Sequence, residues 1–104
     1  MSESMVLALQ ELPADITLEK LQNLQADLAT RESLLRQITQ QFERRYHCSL
    51  ESFESKLENL ELPEHPYWEE SIEWRNAVEQ IQRIQDIQSI IAWLTNLLTQ
   101  SRSS

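Results

Sequence analysis

The chain holds 104 residues with a formal net charge of −8, a single cysteine, three prolines and no glycine. One domain fits this length, and a chain without glycine cannot build a P-loop or a dinucleotide fingerprint and lacks the residue that tight hairpins prefer. Its acidity argues against direct binding of nucleic acid, which needs clustered Lys and Arg, and its stock of Leu, Glu, Gln, Ile and Arg favours helix, so an all-α protein is expected.

Residues 1–16 read as an N-terminal arm. Met5, Val6, Leu7 and Leu9 form a short apolar run that stops before Pro13. They are too apolar for a free tail, so they are expected to dock on something, as strand or as helix. No positive charge precedes the run, which resembles neither a signal peptide nor a membrane span. A single cysteine cannot close an internal disulfide, so a cytoplasmic location is expected.

Residues 17–100 read as one helical domain. Thr17 can cap a long helix, with Glu19 favourable in its first turn. Leu21, Leu24, Leu28, Leu35, Ile38 and Phe42 then step by three or four, skipping only Arg31, and so predict a heptad seam. Arg31 within that seam must snorkel to an edge. The stretch "YHCSL" predicts a corner. His47 tolerates positive φ and can close the first helix. Ser49 stands where an N-cap belongs, and Cys48 with Phe53 matches a hydrophobic staple. Leu50, Phe53, Leu57 and Leu60 give the second helix one apolar face. "LPEHPY" then breaks it, since residues before Pro63 and Pro66 avoid helical torsions. Pro66 suits the first turn of a third helix, where Glu69 and Glu70 complement the dipole. Ala77, Ile81, Ile84, Ile87, Ile91, Leu94 and Leu98 carry that helix onward, and residues 101–104 read as a frayed tail.

These lengths exceed a globule. Helices over 18–46 and 67–98 would be about 44 Å and about 48 Å long, against a diameter of about 34 Å for a compact domain of this size. The expected architecture is therefore an antiparallel, coiled-coil-like hairpin of two long helices linked through a short one. A kink near Gln88, where a polar residue enters the stripe, is the compact rival. In the hairpin, Trp74, Val78, Ile90 and Trp93 lie outside the main stripe of the third helix. Together with Trp68 and the arm residues Met5, Val6, Leu7 and Leu9, they are the predicted partner-binding residues. A homodimer, an obligate protein partner, or both are expected.

Catalytic readings of the same residues are weak. His47 and Cys48 are adjacent and diverge in direction, so they do not make a nucleophile–base pair. His65, Glu69 and Glu73 have helical spacing, but any acidic helix with a nearby histidine does too. No catalytic, cofactor-binding or metal-binding residue is assigned, and no cofactor is expected. Between Glu51 and Glu79 nine acids face only Lys56 and Arg75, a balance that suits a basic partner or plain solubility.

"FERRYHCSLESFESKL" followed by "WEESIEWRNAVEQI" resembles a core of small helical bacterial and archaeal proteins, several of which look like antitoxins of two-gene toxin–antitoxin pairs. Tyr46, Ser49, Leu50, Phe53, Glu54, Trp68 and Trp74 match that pattern, and His47 stands where the corner usually has glycine. The resemblance spans about residues 42–81 and its motif is structural. It implies neutralisation by binding, an acidic helical protein masking a basic or catalytic surface of a toxin. The rival expectation is a homo-oligomerising scaffold or assembly subunit.

Overall fold

The computed structural model describes residues 16–103, with side chains to residue 100. The described residues form α1 (Leu18–Tyr46), α2 (Leu50–Glu58) and α3 (Glu64–Ser103). The run Met5–Leu9 lies outside the described residues. α1 begins at Thr17, whose side chain accepts a hydrogen bond from the Lys20 amide at 3.2 Å. It ends at His47, which takes left-handed torsions (φ 53°, ψ 37°) while its amide donates to the Glu43 carbonyl at 2.8 Å. Two residues later Ser49 caps α2 by accepting from the Ser52 amide at 3.2 Å. The corner is therefore built by local side-chain and backbone chemistry, without glycine.

α2 is shorter than its apolar spacing implies. It ends at Glu58, and Leu60 lies beyond it with φ 58°. The Leu60 amide donates to the Leu57 carbonyl and the Glu61 amide to the Lys56 carbonyl, the paired bonds of a Schellman stop. That stop needs a left-handed residue, so the leucine turns outward and is 76% exposed instead of joining the apolar face. His65, before Pro66, is extended (φ −107°, ψ 130°), and the rest of α3 follows it. His65 is the one residue of α3 with non-helical torsions, so Gln88 does not kink the helix.

α1 and α3 pack side by side and antiparallel. Phe42 stacks on Trp74 and Gln85 reaches Glu32, so residue numbers fall along one helix as they rise along the other. The contact is made by two rows of seven-residue period: Leu21, Leu28 and Leu35 against Ala77, Ile84 and Ile91. A second cluster at the α1–α2 corner holds Phe42, Leu50, Phe53 and Trp74. The molecule is a rod, 61 × 27 × 18 Å with a radius of gyration of 19.4 Å, where a compact chain of this length would have about 13 Å.

Leu24 and Trp74 pack differently from what their spacing predicts. Leu24, expected in the seam, is 44% exposed. α3 lies over the opposite flank of the leucine row, where Gln25 and Glu32 are half-buried and Thr39 is buried. The polar groups there are satisfied: Thr39 donates to the Arg36 carbonyl at 2.9 Å, and Glu32 accepts from Arg36 and Gln85. Trp74, expected on an outer, partner-facing surface, is 1% exposed. The short helix adds a second wall on that side of α3, so Trp74 packs against Phe42 and Phe53 with centroids 5.4 and 5.5 Å away.

Candidate interaction surface

The corner fixes the first half of α3. Tyr46 donates its hydroxyl to Glu70, and Arg45 binds the same carboxylate at 3.1 Å. Tyr67 closes the ring cluster edge-on to Tyr46 and Phe53, with centroids 5.9 and 6.3 Å away. From α2, Glu54 receives both Arg75 Nε, at 3.0 Å, and Arg75 Nη2. Such a two-pronged pair holds its geometry better than a single contact. Glu54 accordingly raises the Arg75 pKa above its ordinary range, and Glu51 and Glu79 act in the same direction. These ties clamp α3 against both neighbours and set which of its residues face solvent.

What faces solvent is apolar to an unusual degree. Trp68 is 57%, Ile72 50%, Ile87 42% and Ile90 53% exposed. At 100° per residue, these four lie within about a third of the helix circumference, and at one end of the row Trp68 borders Glu54, Leu57 and Glu58 of α2. Trp68, Ile72 and Asn76 share an open groove with Glu69, Glu73 and Glu79. Asn76 also borders the next groove, whose walls are Arg31, Arg83, Ile84 and Ile87. The outer stripe of α3 thus has an acidic first half and a cationic centre.

The residues singled out from sequence scatter over this frame. Trp68 and Ile90 lie on the outer stripe, about 33 Å apart along the axis. Val78 is half-buried against the corner cluster. Trp93, nine residues from buried Ile84 and so about 180° from it around the helix, is half-buried. Met5, Val6, Leu7 and Leu9 lie outside the described residues. Sequence reading missed Ile72 as a surface residue and took Ile87 for core. A helical projection centred on Ile84 sets Ile72 about 120° away from the seam but Ile87 only about 60°, no farther than Ile81, which packs against the core.

His65 and Glu69 do meet, with Nδ1 3.0 Å from the carboxylate, and this hydrogen bond holds Glu69 below its ordinary pKa. Among the described residues no group of three or more His, Cys, Asp or Glu is placed to hold a metal ion. Cys48 is a half-buried free thiol packed at the edge of the corner cluster. No described helix is long and apolar enough to cross a membrane. The chain matches no family model, and no curated protein or solved structure gives a match.

Proposed function

We propose that this chain is a helical protein–protein interaction module of the cytoplasm, with no catalytic role of its own. The observation that carries the reading is the row of exposed Trp68, Ile72, Ile87 and Ile90 on a helix whose other face already fills the core. A monomer leaves this surface wet at a cost, and surfaces of this kind serve as contacts. The carboxylates of the Glu51–Glu79 segment favour a partner with a basic surface.

In its narrower form the module is an antitoxin that neutralises a toxin by binding, as the likeness of the Tyr46–Glu54 corner implies. A small toxin-like reading frame beside the gene would support this and a solitary gene would weaken it, and co-expression with such a neighbour's product is the direct test. Restored growth together with a complex that survives gel filtration is expected. Persistent growth arrest with both proteins soluble counts decisively against it. The second reading is a self-assembling scaffold. It is favoured by Leu24 and Ile87, which are exposed on adjacent helices and leave both long helices with apolar surface uncovered.

A further inference from the structure

We propose that the outer stripe of α3 is a self-complementary surface that pairs antiparallel with the same stripe of a second copy, on a two-fold axis between Glu79 and Gln80. The inference rests on the interaction-module reading and names one partner, its register and its direction.

Residue spacing sets the register. A two-fold contact sets each patch residue against its symmetry mate. With the axis between residues 79 and 80, Ile72 of one copy faces Ile87 of the other. Trp68 faces residue 91, beside Ile90. Asn76 faces Arg83, so the guanidinium enters the interval between Glu73 and Glu79 of the opposite helix. The four exposed apolar side chains are thereby covered in two symmetric pairs. Arg31 borders the same groove as Arg83 and adds its charge at the centre. A parallel pairing would instead set Arg83 on Arg83 and the acidic halves on each other, which costs free energy.

Size is consistent with a stable contact. From Trp68 to Ile90 the stripe runs about 33 Å, and α3 with the flank of α1 is about 20 Å wide. Both copies together bury on the order of 1,300 Å², within the range of specific interfaces. The product is a four-helix arrangement with α1, α3 and their mates.

The test uses the full chain. Light scattering is expected to give twice the 12.3 kDa chain mass. Arg83→Glu should weaken dimerisation by on the order of tenfold or more with unchanged far-UV circular dichroism. The swap Glu73→Lys with Arg83→Glu should restore it. In a Cys48→Ser background, a mixture of Ile72→Cys and Ile87→Cys chains should form a disulfide-linked dimer under mild oxidation, and neither variant alone should. A monomeric mass at 50 μM, or cross-linking of Ile72→Cys to itself, overturns the proposal. A monomer that still rescues growth beside its neighbour leaves the module reading standing, whereas a dimer without rescue removes the antitoxin form only.

Discussion

Replacing Leu60 with glycine should stabilise the protein although it deletes an entire side chain. An L-residue in the left-handed region brings its Cβ against a carbonyl oxygen and loses about 1–2 kcal/mol. Leu60 sits there, at φ 58°. Its side chain returns little, being 76% exposed. Glycine removes the clash but has more freedom to lose on folding, which offsets about 0.5–1 kcal/mol. The cleanest figure is the difference between Leu60→Gly and Leu60→Ala, since both lose the same contacts and only alanine keeps the Cβ. Glycine should be the more stable of the two by about 0.5–1 kcal/mol, or roughly 2–8 °C in Tm for a domain of this size. Urea unfolding followed by circular dichroism, at constant protein concentration and with matched m-values, reads this directly. If alanine equals or exceeds glycine, the Schellman geometry assigned to the end of α2 is wrong.

Other substitutions probe the corner and the rod. Ser49→Ala removes the oxygen that accepts from the Ser52 amide, and should cost about 1 kcal/mol in equilibrium unfolding. Trp74→Ala empties the centre of the corner cluster and should cost about 3–5 kcal/mol. Its conservative partner Trp74→Phe should remove a blue-shifted component of the tryptophan emission, whereas Trp68→Phe should remove a red-shifted one. Glu32 and Glu69 are held below the ordinary value of 4.5, the first chiefly by the Arg36 hydrogen bond and the second chiefly by His65. Depressed carboxylates stabilise the fold above their unfolded pKa and lose that contribution as pH falls through the lower folded value. An NMR titration should therefore place both midpoints below 4.5, and Glu32→Gln should make the decline of Tm below pH 4.5 shallower.

Legibility from sequence followed the range of each interaction. Thr17, His47 and Ser49 were readable because a cap or a left-handed stop is decided within four residues, and Pro66 keeps His65 out of helical torsions by local sterics. The rod shape was readable from uninterrupted periodicity. The choice of flank along α1 was not, because Leu24 and Gln25 are equally compatible with the leucine row and only the placement of α3 decides between them. Trp74 was misread for a similar reason: on α3 alone it lies beside the stripe, and the wall that buries it comes from α2, a nine-residue helix. Leu60 carried no signal, since the stop that displaces it ordinarily announces itself with glycine. Of the candidate surface, Trp68 and Ile90 were visible as excess apolar residues, whereas their alignment with Ile72 and Ile87 required the rotation of α3.

The seven-step pairing of Leu21, Leu28 and Leu35 with Ala77, Ile84 and Ile91 makes the protein a ruler with coarse graduations. Inserting one amino acid into either arm would swing everything beyond it by about 100° and strand half the joint in water. Seven added to both arms together would leave the fit intact and push the far tip outward by about 10 Å. Descendants of this chain can thus change reach only in such paired quanta, and a stray single-codon gain or loss midway along an arm should be among the least tolerated lesions.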